Sequence, residues 1–176
     1  NGADHWRAEN PPFGATFTYY LNDAYQTEKE RRVEADKEIY EEGGDVGYPA
    51  FDVLERERRE ADAAVFVTVR DSAGNVVRVV DADNKKGVNR VTWNLRHPSG
   101  GAITSSNSGN DGGSMAVPGS YSATLHARVN GETRQIAGPA IFDLVDINQR
   151  ALDGASPADA YAFQRELEGA RADVAA

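Results

Sequence analysis

Residues 64–95 read AVFVTVRDSAGNVVRVVDADNKKGVNRVTWNL, and this stretch decides the fold. At 65–70 valine alternates with Phe, Thr and Arg, the period of two that is typical of a half-buried β-strand. Turn-forming residues follow at 71–75, and a run rich in β-branched residues returns at 76–80. A second turn at 85–87 leads to another alternating run that contains Trp93 on its apolar face. The pattern predicts three consecutive antiparallel strands, a meander.

More alternating runs lie on both sides of this stretch. Residues 13–21 carry Phe, Ala, Phe, Tyr and Leu at every second position, and residues 121–129 show the same alternation. Asn130-Gly131 predicts a tight hairpin turn into a returning strand, which Gly138-Pro139 is expected to break before a final strand. Short strands with regular turns favour a sandwich over a parallel sheet. The predicted fold is therefore mainly β, an immunoglobulin-like antiparallel β-sandwich of about seven strands.

Residues 27–62 have a different character and predict a helical insertion in this sandwich. Thr27-x-x-Glu30 matches a capping box, charged helix formers follow it, and Gly43-Gly44 stops the first helix. A second short helix is expected from Pro49, with Phe51, Leu54 and also Ala61 as the residues that could face the body. The stretch LERERRE in this helix is interpreted as a solvated helical face.

The end of the chain is also predicted to be helical. Ser156 is expected to cap the helix and Pro157 to occupy its first position. Four residues of this helix share an apolar face that needs a partner: Ala160, Phe163, Leu167 and Ala170. We therefore divide the chain into a sandwich at 1–146, which carries the insertion at 27–62, and a helical extension at 147–176.

Composition excludes several classes of function. The net charge is −9, so the phosphate backbone of a nucleic acid would be repelled. Cysteine is absent, which excludes disulfides and thiolate metal sites, and no apolar run reaches the length of a membrane span. The chain opens without a methionine or a signal peptide, and we interpret it as a fragment or a processed product.

No residues are predicted to be catalytic or to bind a metal. Gly112-Gly113-Ser114 approximates a nucleophile elbow, but it follows a glycine-rich loop and has no suitable acid and histidine partners. Residues 81–87 resemble a calcium loop but contain two lysines and lack the glycine and acid of the motif, so an ordinary hairpin loop is expected, although a noncanonical ion site stays open. The three histidines are scattered in sequence. No cofactor is implied.

Several of these motifs together resemble known bacterial modules. The run from Val67 to Arg78, then GxxRVTWNLR at 87–96 and VPGxY at 117–121, resembles the immunoglobulin-like C-terminal domain of the flagellar hook-capping protein. The opening ENPPFGA at 9–15, with TYYL at 18–21, resembles the region that follows the β-propeller in secreted bacterial BNR-repeat glycosyl hydrolases and sortilin-like proteins. The resemblance implies an accessory module whose propeller, and any hydrolase chemistry, lies outside these residues.

This resemblance leads to three hypotheses of different class. The first is a non-catalytic accessory module of a secreted, periplasmic or cell-surface protein, which buries Trp6 and Phe13 against a neighbouring propeller domain. The second is a carbohydrate-binding module, suggested by the sandwich class and by Trp6, Tyr19 and Tyr20. The third is a hydrolase fragment with intrinsic activity, which would need a pocket with converging acids or a Ser-His pair. The interface or ligand candidates are Trp6, Asn10, Phe13 and Tyr20.

Overall fold

The computed structural model describes residues 10–99, 112–147 and 154–175. Trp6 and most of the glycine-rich loop therefore lie outside the described residues. Six strands and three helices occur in these ranges, where about seven strands are predicted. In chain order they are β1 (Ala15–Leu21), α1 (Glu28–Glu41), α2 (Phe51–Arg59), β2 (Ala64–Asp71), β3 (Val76–Ala82), β4 (Gly87–Trp93), β5 (Gly119–Val129), β6 (Glu132–Leu144) and α3 (Pro157–Ala175).

The strands form two antiparallel sheets, an arrangement consistent with a β-sandwich. One sheet has two strands in the order β1-β4, and the other has four in the order β3-β2-β5-β6. One hydrophobic core draws on both sheets: its fully buried side chains include Trp93 of the first sheet and Val65 and Val69 of the second. Burying each aliphatic side chain stabilises the fold by about 1.5–3 kcal/mol.

The predicted meander is wrong at its third strand. β2 and β3 form the expected hairpin, but β4 leaves that sheet and pairs with β1. Polar side chains stabilise the segment that passes from one sheet to the other. Asn84 both accepts from the Tyr25 backbone N–H and donates to the Tyr25 carbonyl, each at 2.7 Å. Nearby, the Tyr19 hydroxyl donates to the Asp83 carbonyl at 2.6 Å. Residues 81–87 therefore connect two sheets and are not a hairpin loop.

Four aromatic rings fasten the two sheets together at the centre. Trp93 lies 5.7 Å from Tyr121 and 6.5 Å from Phe142, between ring centroids, and Phe17 lies 5.4 Å from Phe142. Trp93 is 1% exposed, and its indole N–H donates to the Arg96 carbonyl at 2.9 Å. The prediction that Trp93 packs in the core is confirmed.

The β5–β6 hairpin forms as predicted, with Asn130 at φ 54° and Gly131 at φ 76°. The expected break at Gly138-Pro139 is wrong, because β6 runs unbroken from Glu132 to Leu144. Two features accommodate the proline. β6 is an edge strand, so the missing N–H costs no ladder bond, and the pairing register shifts opposite Ala123 and Leu125.

The helical insertion forms, and its predicted capping box is confirmed. The Glu30 N–H donates to Thr27 Oγ1 at 3.1 Å, and the Thr27 N–H donates to Glu30 Oε2 at 2.8 Å. The expectation that Phe51 faces the body is wrong, since Phe51 is 79% exposed. The inward face of α2 is fixed by Glu57, and Phe51 lies about 120° around the helix from it.

The C-terminal helix α3 begins as predicted. The Asp159 N–H donates to Ser156 Oγ at 3.1 Å, and the Ser156 hydroxyl donates to Asp159 Oδ2 at 2.7 Å. Its predicted apolar face is exposed among the described residues, with Phe163 65% and Leu167 41% accessible. The ring of Tyr161 instead contacts His97, with centroids 5.0 Å apart.

Candidate functional site

The alternation of side chains along β1 decides which of them are accessible to solvent. Its odd-numbered residues turn toward the core, ending with buried Leu21, while Thr16, Thr18 and Tyr20 are exposed. Tyr20 is 63% exposed. The sequence alternation already predicted the core-facing set, and it leaves Tyr20 as the large ring on the opposite side of the strand.

The pairing of β1 with β4 builds a continuous surface around Tyr20. Tyr20 lies opposite Val88, which is 70% exposed, and Thr18 lies opposite Arg90. Farther along, the hydroxyls of Thr16 and Thr92 are 2.9 Å apart and hydrogen-bonded. We call this surface the outer face; it consists of Thr16, Thr18, Tyr20, Val88, Arg90 and Thr92. It has an apolar end and a polar middle.

Phe13 and Asn10 lie beyond the other end of β1. Phe13 is 68% exposed and Asn10 is also exposed. Phe13 and Tyr20 are seven positions apart along a chain that is extended from Ala15, so they are separated by up to roughly 23 Å. The structure therefore does not bring Phe13 and Tyr20 into one cluster, and each is presented at its own end of the strand.

Gly14 fixes the direction in which Phe13 leaves the sandwich. Its φ is 138°, and a Cβ at this position would lie 2.0 Å from the Trp93 carbonyl oxygen. The backbone there packs directly on the end of β4, so only glycine fits. Phe13 is thus held next to a rigid point of the fold and projects into solvent.

Among the described residues, no side chain is hydrogen-bonded to the hydroxyl of the serine in the elbow-like motif. Ser114 is 5% exposed, and its Oγ has no hydrogen-bond partner among the described residues. Its carbonyl accepts from the His97 backbone N–H at 2.9 Å. The His97 ring is turned to Tyr161, and burial lowers the pKa of His97. Ser114 accordingly packs in a short bridge next to β4 and is not presented to a substrate.

The second histidine of the described ranges is engaged elsewhere. His126 stacks on Phe66 with ring centroids 5.3 Å apart, and its Nδ1 lies 3.3 Å from Thr68 Oγ1. Among the residues that the structure describes, no three His, Asp or Glu side chains converge as a metal site. In the same ranges, no helix is long and apolar enough to cross a membrane.

The hollows of the surface are open grooves. A groove of about 290 Å³ lies between β1 and the second sheet and is lined by Phe17, Val67, Leu125 and Ala140, with neighbouring residues. Another, of about 340 Å³, lies where α1 and α2 meet the β5–β6 turn and is lined by Glu28, Arg56, Arg59, Glu60 and Asn130. The lining of the first groove is mostly apolar, and the lining of the second carries both acidic and basic side chains.

Sequence reasoning missed two sets of exposed apolar residues. Val88 belongs to the outer face, and only the pairing of β4 with β1 reveals it. Tyr40 and Tyr48, 75% and 90% exposed, lie in the helical insertion together with Phe51. The sequence does carry a signal for the second set. Helix α1 has almost no apolar periodicity and therefore no face on which to bury such rings.

Comparison of the chain with family models, with curated proteins and with solved structures gave no match.

Proposed function

We propose that the chain is a non-catalytic accessory module of a larger secreted or cell-surface protein that contains a β-propeller. Its sandwich is of the immunoglobulin-like class, and it packs on a neighbouring domain of the same polypeptide. One observation carries the proposal: Tyr20 and Val88 on paired strands, and Phe13 just before β1, are each more than half exposed. Neighbouring exposed apolar side chains, such as Tyr20 and Val88 on paired strands, mark sites of association, and Phe13 adds a further exposed ring.

Such a module would act by packing against its neighbouring domain and not by catalysis. Phe13 follows Pro11-Pro12, which restrict the chain before β1 to an extended course. Gly14 then connects this extended segment directly to the sandwich, where its backbone packs against the Trp93 carbonyl. Burying Phe13 against a neighbour would contribute about 1.5–3 kcal/mol and would set the orientation of the two domains. The outer face supplies a second contact through Tyr20 and Val88.

The test uses the parent protein, with the domain that precedes this chain. We expect Phe13→Ser to increase the radius of gyration measured by small-angle X-ray scattering and to expose the interdomain segment to protease. Val79→Ser is the matched control, because Val79 is 50% exposed on the other sheet. Unchanged dimensions and protease sensitivity in Phe13→Ser, with or without Val88→Ser, would refute packing through these residues.

Carbohydrate binding is the second candidate, and the exposure of Tyr20 is the observation in its favour. The ring lies on the outer face near Thr18 and Arg90, which offer hydrogen bonds to hydroxyl groups. Tyr20→Ala should abolish any glycan-array signal. Tyr48→Ala, which removes another exposed tyrosine from a different surface, should leave the signal intact. An array without signal would eliminate this candidate.

A further inference from the structure

The helical insertion forms an arm, and polar contacts join the first residues of this arm to its last residues. We use the word arm for residues 27–60. Asn130 of the β5–β6 turn donates to Glu28 Oε1 at 3.1 Å, and the Glu28 N–H donates to the Glu60 carboxylate at 2.8 Å. Farther along, Arg32 donates to both oxygens of Glu57, at 2.6 and 2.9 Å. These pairs match the start of α1 with the end of α2, so the helices run antiparallel and residues 36–52 form the far end.

This far end, which we call the arm tip, exposes three aromatic rings. Tyr40 at the end of α1 is 75% accessible, Tyr48 in the connection is 90% accessible, and Phe51 at the start of α2 is 79% accessible. Ile39 is also 43% exposed. Single exposed apolar residues are ordinary on protein surfaces, but three rings within 12 residues of one protruding end are not explained by chance exposure.

Charge is distributed unevenly along the arm. The arm tip contains six carboxylates and one lysine, Lys37, whose ammonium lies 3.6 Å from Glu41. The rest of the arm is balanced, with six basic and six acidic residues. The tip thus carries a net negative charge, although Arg32 pairs with Asp36 at 2.8 Å, and the arginines lie in the part of the arm nearest the sandwich. The six carboxylates are those of Asp36, Glu38, Glu41, Glu42, Asp45 and Asp52.

The arm also lacks packing of its own. α1 has no buried residue, and the buried residue of α2 is Glu57, whose carboxylate is paired with Arg32. Helices of this length are normally stabilised by burying an apolar face. Here three aromatic side chains are exposed at the tip, so a partner that covers them would add the apolar burial that the described residues of the arm do not supply.

We propose that the arm tip is a docking surface for a protein partner with an apolar pocket rimmed by lysine and arginine. Tyr40, Tyr48 and Phe51 fill the pocket, since aromatic side chains are typical anchors of interfaces. The carboxylates around them face the basic rim, which speeds association and selects the partner. The proposal does not depend on packing through Phe13 and the outer face, because it rests on different residues.

Charge argues against the other occupants. A second copy of this chain would bring an equally acidic tip to the contact, and like charges at close range destabilise it. Nucleic acids and anionic lipid surfaces carry the same sign as the tip and would be repelled. A basic protein surface is the occupant whose charge fits.

The probe for the test is a synthetic amphipathic helical peptide, about five turns long, with leucines along one face and lysines on both flanks. Titration of the labelled peptide with the whole 176-residue chain, followed by fluorescence anisotropy at low salt, should give a dissociation constant of about 10 µM. Two companion peptides serve as references: in one glutamates replace the lysines, and in the other serines replace the leucines. Neither should bind measurably.

Variants of the chain then assign the binding to the tip. Replacing Tyr40, Tyr48 and Phe51 together by serine should weaken the affinity at least tenfold, because the anchors are lost. Substituting Glu41, Glu42 and Asp45 by their amides should weaken it about tenfold and reduce its dependence on salt. These residues are exposed, and unchanged helicity at 222 nm together with unchanged thermal unfolding of the sandwich shows that both the arm and the sandwich of each variant stay folded.

The matched control makes the same change of charge elsewhere, by substituting Asp81, Glu132 and Asp143, also exposed, by their amides. We expect it to bind the peptide like the parent chain. The proposal is overturned if this control loses as much affinity as the tip variant, since net charge alone would then explain binding. It is equally overturned if the serine variant binds normally, if the glutamate peptide binds as well as the lysine peptide, or if no peptide binds. Concentration-dependent dimerisation that the serine variant removes would identify a second copy as the occupant instead.

Discussion

The sandwich and the helical arm come from adjacent parts of the chain but are stabilised by different forces. In the sandwich, valines of β2 and Trp93 of β4 are almost completely buried, and four aromatic rings connect the sheets. In the arm, capping hydrogen bonds and the Arg32–Glu57 ion pair hold helices that bury no apolar side chain fully. The comparison teaches that the side chains that stabilise this fold and the exposed rings are separate sets: the core contains the first, and the proposed docking uses the second.

The largest effect is expected from a substitution in the core, and a substitution in the arm serves as its reference. Trp93→Ala should lower the free energy of unfolding by about 3–5 kcal/mol, because it removes a ring that is 1% exposed. Phe51→Ala removes a ring that is 79% exposed and should change it by less than about 0.5 kcal/mol. Urea unfolding followed by circular dichroism measures both. Equal losses from the two variants would contradict the separation.

Glycines give a second comparison of the same kind. Gly14→Ala should cost roughly 3 kcal/mol, because the backbone conformation is unfavourable for alanine and its Cβ would meet the Trp93 carbonyl. Gly43 ends α1 at φ 81° with open space around it, so Gly43→Ala should cost only about 1 kcal/mol and should affect the arm alone. Thermal unfolding of the two variants, compared with the parent chain, decides the matter. A Gly14→Ala variant as stable as the parent chain would show that this contact has room to relax.

The cap of α1 should matter to the arm and not to the sandwich. Thr27→Ala removes the acceptor of the Glu30 N–H and should destabilise α1 by about 1 kcal/mol. We expect lower helicity at 222 nm and an unchanged midpoint for unfolding of the sheets. A fall in that midpoint of several degrees would mean that the arm and the sandwich unfold as one unit.

Acid should weaken the two regions through different carboxylates. Hydrogen bonds from Arg32 are the main cause that lowers the pKa of Glu57, and those from Asn75 are the main cause that lowers the pKa of Asp71 in the β2–β3 turn. A depressed pKa contributes stability that is present above the unfolded value and is lost as pH falls through the folded value. Below the ordinary values, 4.5 for Glu57 and 3.8 for Asp71, helicity and sheet stability should therefore both decline.

Amide variants separate these two contributions. Glu57→Gln should flatten the acid dependence of the helical signal only, and Asp71→Asn should flatten that of sheet unfolding only. Circular dichroism and thermal unfolding across the acid range provide the measurement. If either variant flattened both curves, the arm and the sandwich would be coupled.

Local patterns predicted much of this fold. The alternation in β1, the Asn130-Gly131 turn and the Thr27–Glu30 capping box depend on neighbours in sequence, and each forms as expected. The pairing of β4 with β1 was not predicted, because Asn84 and Tyr25 make the crossing through contacts 59 residues apart. The continuation of β6 through Pro139 likewise depends on its place at the sheet edge, which no local pattern reveals.

The candidate site was predicted less completely. The alternation of side chains along β1 correctly predicts that Tyr20 faces away from the core. Its neighbour Val88 belongs to another strand and lies 68 residues away in sequence. Phe51 was expected to pack inward because apolar residues usually do, whereas the Arg32–Glu57 pair fixes the face of α2 that turns inward. Trp6 lies outside the described residues, so its assignment to the interface stays a prediction.

Hydrogen–deuterium exchange of the isolated chain tests the separation of core and arm most directly. Amides of β2 and β5, whose side chains form the core, should exchange only through global unfolding. Amides of α1, which buries no residue, should exchange orders of magnitude faster at the same pH and temperature. Slow exchange at the β2 and β5 amides together with fast exchange at the α1 amides is the predicted result. Protection of the α1 amides equal to that of the β2 amides would contradict the account, because the arm would then be part of the core and not a free docking element.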